Sequence, residues 1–373
     1  MRIAIDLTPI YDHLTGVERY NINIVRAMIK QHSEDTFVLV FKNQVHQEFK
    51  DIIKQKNVKH LVLPACNKFL FIQLRLLGAM NKIRADYYLF LSFTSPMFFK
   101  KKRTISAIHD LTCWDCPESI PIKMKYYYRL TYLRSVKNDW KTVTVSKFSQ
   151  GRICERYGIK KKQVPIIYDG LTEVFKRETN KGIDFLSERY NIPKRYLLSL
   201  STIEPRKNLQ LLISAYQELI RENVQLPDLV LAGRKGWKLE EILKNIDDKT
   251  QKRIRFTGFV DDEDLPTLYG NAELFVFPSK YEGFGLPLIE AMSQGTLVLS
   301  SDAASLPEIL EENGLLFESD NKDDLKRKIL SALSLPVTKR HEITDKAMQR
   351  ARSFDWNTEA EKLHEIMKNG IKP

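Results

Sequence analysis

Cysteine is scarce in this chain. Four residues in 373, Cys66, Cys113, Cys116 and Cys154, are too few for a disulfide framework at this length. Low-complexity tracts are absent, which excludes a collagen-like rod and a disordered scaffold. No apolar run reaches the roughly 20 residues a spanning helix needs. The nearest, Phe69 to Met80, has Arg75 inside it and reads either as a half-buried helix or as a surface resting on lipid. The first residues, Met1-Arg2-Ile3-Ala4-Ile5-Asp6, carry charge where a signal peptide needs its apolar core. The expectation is therefore a chain that folds from residue two in a reducing, cytoplasmic compartment. Several catalytic signatures are missing too. There is no Gly-x-Gly-x-x-Gly fingerprint, no Gly-Lys-Ser/Thr phosphate loop, no Ser-His-Asp order and no metalloprotease helix.

What is present is an ordinary globular composition, 43% hydrophobic and 28% charged, at a length that suits two domains. The net charge of +12 is unevenly spread: residues 1–170 carry 29 Lys and Arg against 14 Asp and Glu, and the remainder 30 against 33. A basic first half implies an anionic partner. Its clusters are Lys100-Lys101-Lys102-Arg103, Lys160-Lys161-Lys162 and the aromatic-basic stretch Lys123 to Arg134. Nucleic acid, an anionic membrane surface and a pyrophosphate-bearing acceptor all fit, and any one run taken alone reads as a solvated face.

Short β-branched runs alternate with amphipathic stretches, the pattern of parallel sheets with crossover helices. In the first half the expected strands are 2–6, 36–41, 60–63, 87–91, 104–108 and 142–145, with helices after Val17, Pro121 and Ser146. In the second they are 196–200, 229–232, 253–257, 274–277 and 297–300, with helices from about Asn208, Trp237, Asp262, Leu286 and Asp323. The polar stretch from Gly170 to Pro193 marks the boundary. The expected fold is thus α/β, two doubly wound Rossmann-like domains. They are residues 1–170, with a C-terminal helix 356–373 packed back on it, and residues 171–355. Ligands in such domains bind outside the carboxyl ends of the strands, so a ligand held by both is expected in a cleft between them.

Five segments carry candidate chemistry. Glu282-Gly283-Phe284-Gly285-Leu286-Pro287-Leu288-Ile289-Glu290 follows the buried strand Leu274–Phe277. Its glycines permit close backbone approach, and its two carboxylates suit hydroxyls at opposite ends of an elongated ligand such as a sugar or ribose. Arg206 and Lys207, in Ser201 to Leu209, fall between a strand end and a helix start, an electropositive place for phosphate. The loop Thr8 to Arg19 ends with Gly16 at a helix start, where backbone amides can face a phosphate. His109-Asp110 ends the strand 104–108, a position from which an imidazole can polarise or place a substrate. Cys113-Trp114-Asp115-Cys116 has redox or zinc spacing but no second ligand pair, and is read as coincidence.

Taken together and in order, these segments resemble the retaining GT-B glycosyltransferases of glycosyltransferase family 4, which include many bacterial mannosyltransferases. The resemblance rests on Gly16-Val17-Glu18-Arg19, His109-Asp110-Leu111 with Pro117-Glu118, Val145 to Ser149, Glu204-Pro205-Arg206-Lys207-Asn208 and the paired glutamates Glu282 and Glu290. It implies two domains facing across a cleft, an N-terminal one for acceptor and a C-terminal one for nucleotide-sugar. Arg206 and Lys207 would meet the donor diphosphate, with Gly16 presenting amides to the same phosphates. Glu290 would hold ribose hydroxyls. Glu282 and the amides of Gly283, Phe284, Gly285 and Leu286 would orient the sugar, with His109 contacting it and Gly258 starting the base-binding turn. The implied chemistry is metal-independent, retaining transfer of a hexose, with mannose from GDP-mannose expected, and without any cofactor. Two departures stand out: Ser201 where some relatives have an arginine, and Tyr168-Asp169-Gly170 where the family usually has Pro-Asn-Gly.

The basic first half, the aromatic-basic stretch and Phe69 to Met80 suit a lipid-linked or anionic glycan acceptor at the inner face of the cell membrane, in bacterial surface polysaccharide synthesis. Within the same fold the alternatives are a soluble sugar synthase or a nucleotide-sugar epimerase. A nucleic-acid-binding protein is the third reading; it leaves Glu282 to Glu290 unexplained, and no nucleic acid is expected as partner.

Overall fold

A computed structural model describes residues 1–10, 14–67, 70–177, 181–202, 204–234 and 246–370. The helix expected from about Trp237 lies outside them, as do Phe69, Ile203 and the last three residues of the expected C-terminal helix. The chain divides into two compact units, Met1–Gly170 with Asp355–Pro373, and Leu171–Phe354.

The first unit is built on six parallel strands: β1 (Arg2–Asp6), β2 (Thr36–Lys42), β3 (Val58–Leu63), β4 (Tyr87–Phe90), β5 (Thr104–Ala107) and β6 (Lys141–Val143). Their order is β3-β2-β1-β4-β5-β6. Strand β2 buries Phe37, Val38, Leu39, Val40 and Phe41 in succession, the continuous burial of a strand covered on both faces. Edge strand β3 instead exposes Lys59, His60, Leu61 and Val62. The helix Trp356–Asn369 belongs to this unit and buries Trp356, Ala360, Leu363, His364 and Met367. Asp355 caps it through Asn357 N at 2.9 Å and Thr358 N at 3.1 Å.

The second unit repeats the plan with β7 (Tyr196–Leu200), β8 (Asp228–Ala232), β9 (Ile254–Gly258), β10 (Leu274–Phe277), β11 (Val298–Ser301) and β12 (Leu315–Phe317). Its order, β12-β11-β10-β7-β8-β9, is that of the first sheet, although no sequence repeat is evident. Its core joins Leu197, Leu229, Leu231, Leu274, Val276 and Leu299 to the apolar face of the helix Leu209–Arg221.

Eleven of the twelve strands coincide with expected ones to within two residues at either end. Strand β12 was not anticipated; three residues at a sheet edge give too short a run to show periodicity. The helix Val337–Arg352 was also not anticipated, because it buries only Thr344, Ala347 and Ala351 and so lacks a strong apolar stripe. A short helix, Ile183–Tyr190, sits in the stretch read as a polar boundary.

Candidate active site

In both sheets the strand order reverses between two neighbours, β1 and β4 in the first and β7 and β10 in the second. At such a switch point the loops leave in opposite directions and open a crevice at the carboxyl ends. Strands β7 and β10 pair in register, Leu274 beside Leu197 and Phe275 beside Leu198. The loops that follow them, Ser201–Asn208 and Pro278–Gly285, therefore emerge side by side. Segments some 75 residues apart in sequence meet here: Lys280 N donates to Arg206 O at 2.9 Å.

Glu282 stands at the centre of this meeting. Its Oε1 accepts from Lys207 Nζ at 2.5 Å and from Ser279 Oγ at 2.7 Å, and its Oε2 accepts from Arg206 Nη1 at 3.0 Å. The Arg206 guanidinium also donates to Tyr281 O at 2.7 Å and, from Nη2, to Glu204 Oε1 at 2.7 Å. All three principal side chains are largely buried: 13% of Lys207, 17% of Arg206 and 10% of Glu282 is exposed. Burial by itself would raise the Glu282 carboxyl, but Lys207 and Arg206 override it and hold the group down at about 2. Lys207 is lowered, first by burial and then by the like charge of Arg206, with Glu282 opposing. The result is an ionised carboxylate clasped by two cations. Glu282 takes one of the three Lys207 N–H groups, and the ammonium lies 5.6 Å from the Phe277 ring centre.

The rest of the segment is held from behind. Ser305 Oγ donates to Glu282 O at 3.0 Å or to Phe284 O at 2.7 Å, and Ser301 Oγ donates to Ser279 O at 2.5 Å. Gly285 has φ +114°, and a Cβ there would meet Leu306 at 2.9 Å, so glycine is required where the chain turns into the helix Leu286–Ser293. Pro287 has no N–H and Leu288 N donates to Gly285 O at 2.9 Å, so Leu286 carries the first N–H of the helix. The Phe284 side chain packs edge-on against Phe354 and is buried, so its contribution to a ligand is its backbone. Gly283 lies in the same buried loop. Glu290, on the helix, is buried and accepts from Tyr269 Oη at 2.9 Å. Gly258 ends β9, and its carbonyl accepts from Gly233 N at 2.8 Å.

Sequence reasoning missed five supporting residues. Glu204 lies inside a quoted segment and Ser279 three residues before another, but neither gave a signal as partner of Arg206 or Glu282. Tyr269 and Ser305 are remote in sequence and only the fold brings them in. Gly233, too, was passed over: it follows β8 at φ +125°, and a Cβ would lie 2.1 Å from Ser201 O. A glycine at the end of a predicted parallel strand was the available clue. Ser201 has a buried Oγ with no hydrogen-bond partner.

Gly16 and His109 belong to the first unit. Gly16 opens the helix Gly16–Gln31, whose start is closed by Glu18 accepting from Thr15 N at 2.8 Å. His109 follows β5; its Nε2 lies 2.8 Å from Leu91 O, and Tyr20 packs edge-on at 4.9 Å. A carbonyl can only accept, so Nε2 carries the proton and Nδ1 is an acceptor. Burial lowers the His109 pKa against the opposing pull of Leu91 O and Asp110, keeping the ring neutral. Nearby, Asp6 at the carboxyl end of β1 accepts from Thr8 N at 3.0 Å and Thr8 Oγ1 at 2.7 Å, and burial pushes its carboxyl up to about 6. Asp6 and Thr8 line a groove with Phe71, Met124, Tyr127 and Tyr128 among its walls. Cys113 is buried and its thiol is pushed up to about 12, first by burial, so it stays protonated.

Two six-stranded parallel sheets of one strand order, with the loops just described at the strand carboxyl ends, make two Rossmann-like units. The family described as Glycosyl transferases group 1 matches residues 183–350. The O-antigen chain mannosyltransferase B of Escherichia coli is 30% identical over 369 residues, covering 95% of this chain and 96% of that protein. The serotype-specific mannosyltransferase WbdA of Escherichia coli is 38% identical over 177 residues, 47% of this chain and 22% of its own. Among solved structures, Anabaena HepE in complex with UDP and glucose superposes with a TM-score of 0.75 at 18% identity, covering 99% of this chain and 100% of that one. The lipopolysaccharide-biosynthesis glycosyltransferase WaaG gives 0.71 at 15% identity, covering 98% and 99%. The chain belongs to the group 1 glycosyl transferases.

Proposed function

We propose that this glycosyltransferase moves mannose from GDP-mannose to a lipid-linked or anionic glycan acceptor during bacterial surface polysaccharide synthesis, with retention of anomeric configuration and without a metal ion. The observation that carries the reading is the full-length similarity to an O-antigen chain mannosyltransferase. In this reading the donor diphosphate lies against Arg206 and Lys207, whose charge stabilises the leaving group as the bond from sugar carbon to phosphate oxygen breaks. Lys207 has two N–H groups beyond the one on Glu282 to give to phosphate oxygens. Glu282 orients the two cations and, with the amides from Gly283 to Leu286, the sugar. Glu290, set by Tyr269, takes the ribose. Gly16 serves the phosphates, neutral His109 accepts from a sugar hydroxyl at Nδ1, and Gly258 begins the turn for the base. The acceptor oxygen attacks the face that the leaving group vacates, and its proton goes to the departing phosphate.

The acceptor side of the reading is supported by the first unit. Met124, Tyr127 and Tyr128 of the helix Ile122–Asn138 line a groove with Phe71 and Ile72. The same two segments expose Leu74, Ile122 and Tyr126, with Lys123 and Lys125 next to the last two in sequence. Apolar side chains among lysines suit an anionic lipid surface. Among the described residues no helix is long and apolar enough to cross a membrane.

Thermal unfolding with GDP, UDP, dTDP and CDP, each with and without EDTA, tests the donor. A ligand at about 100 times its dissociation constant adds roughly 2.7 kcal/mol to the folded state. Stabilisation by GDP alone, unchanged by EDTA, is expected. Selective stabilisation by UDP refutes the mannose donor, and a nucleotide-induced shift that EDTA abolishes, measured against the nucleotide-free protein in the same EDTA, refutes metal independence.

A further inference from the structure

The first helix of unit 1, Gly16–Gln31, ends at His32, and the C-terminal helix Trp356–Asn369 packs beside it. Where they meet, His32 and His364 stack ring on ring, with centroids 3.4 Å apart and planes 6° from parallel. Both residues are more than nine-tenths buried. His364 Nε2 lies 2.7 Å from Asp35 Oδ2, which leaves Nδ1 as the other ring nitrogen; that atom is buried and has no hydrogen-bond partner. His32 Nδ1 lies 3.4 Å from Glu34 Oε1, and its Nε2 lies 3.0 Å from Glu361 Oε2, off the line of a hydrogen bond. One donor atom from each of His32, Glu34 and His364 falls within 4.8 Å of the other two.

We propose that His32, Glu34 and His364 form a binding site for a divalent transition-metal ion, with zinc the best match. Two imidazoles and a carboxylate are zinc ligands, whereas calcium and magnesium prefer oxygen alone. A ligating histidine usually gives its second nitrogen to a carboxylate, which fixes the tautomer, and Asp35 stands in that relation to His364. Bonds of about 2.1 Å in a tetrahedron put ligand atoms about 3.4 Å apart. The cluster contracts to that spacing by rotation of the Glu34 side chain, 66% exposed, and by tilting of the two rings away from parallel. Water completes the coordination.

The position in the fold assigns the metal a role in holding structure. His32 to Asp35 immediately precede β2, at the amino ends of the parallel strands, while Asp6, Gly16 and His109 stand at the carboxyl ends. Ligands of this fold class bind at the carboxyl ends, so the ion clamps the C-terminal helix to the first helix and takes no part in sugar transfer. The inference is independent of the donor reading.

The test is titration of the full-length, tag-free protein with zinc, read by competition against a chromophoric chelator and by thermal unfolding. One equivalent is expected to bind and raise the unfolding temperature. Glu34→Gln, at an exposed position where folding is not at risk, should weaken binding at least tenfold, and His364→Gln by more. Asp35→Asn, which leaves every ligand in place, should weaken it by about 10- to 100-fold. The Cys113→Ser/Cys116→Ser variant should bind as the wild type does. Absence of binding at micromolar zinc overturns the proposal, as does binding that survives Glu34→Gln or is lost with the cysteines.

Discussion

Replacing Glu282 by glutamine perturbs the most heavily coupled group in the second unit. The amide keeps an oxygen for Lys207 and Ser279 but turns a nitrogen toward Arg206 Nη1, a donor facing a donor across 3.0 Å. It also removes the ion-pair partner of Lys207 and leaves Arg206 with Glu204 alone, both cations being at least four-fifths buried. Removing one partner of a buried ion pair typically costs about 3–5 kcal/mol. The pKa gives an independent figure. A carboxyl at about 2 when folded against 4.5 when unfolded contributes about 3 kcal/mol. Because the folded value is the lower one, that stability is present above pH 4.5 and drains away as the pH falls toward 2. For a unit of this size, 3–5 kcal/mol lowers the unfolding temperature by about 6–20 °C. Urea unfolding of wild type, Glu282→Gln, Lys207→Met and the double variant at pH 7 measures the term. Since Lys207 and Glu282 answer each other, the double variant should be less destabilised than the sum of the singles by about 1–3 kcal/mol. Additive effects, or a Glu282→Gln protein within about 0.5 kcal/mol of wild type, refute the reasoning.

Two further outcomes are expected. Asp6 has a folded value of about 6 against 3.8, so its contribution is present below pH 3.8 and is lost as the pH rises through 6. Asp6→Asn keeps the acceptor for Thr8, and should stabilise the protein by about 2–3 kcal/mol at pH 7.5 and by nothing near pH 3.5; a pH-independent difference in chemical unfolding contradicts this. Charge reversal at Lys123 and Lys125, beside exposed Ile122 and Tyr126, should weaken sedimentation with anionic liposomes by about fivefold per lysine and leave neutral liposomes unaffected. Equal losses on both vesicles would remove the electrostatic part of the membrane reading.

The strand series was legible because parallel strands are buried on both faces and appear as apolar runs, Leu274-Phe275-Val276-Phe277 being the clearest. Where burial is partial the text of the sequence fades. The three residues of β12 and the helix Val337–Arg352 present too few apolar positions to be seen. The motif residues could be named singly, since glycine, arginine and glutamate at strand ends have few structural uses. Their pairings could not: nothing in the spacing says that Glu282 faces Lys207 and Arg206 rather than solvent.

Sequence alone therefore determined the class of fold and the family, and singled out the strand-end loops as candidates for chemistry, because local periodicity and strand-end residue types are written in consecutive positions. Tertiary structure decided what those residues are to one another. Strand order put β7 beside β10 and so turned two separate motifs into one buried ion cluster. It brought Tyr269 to Glu290 and Ser305 to the Glu282 loop. It also stacked His364, on the C-terminal helix, upon His32. Contacts of that range depend on the path of the whole chain through the sheet, which no local stretch of sequence encodes.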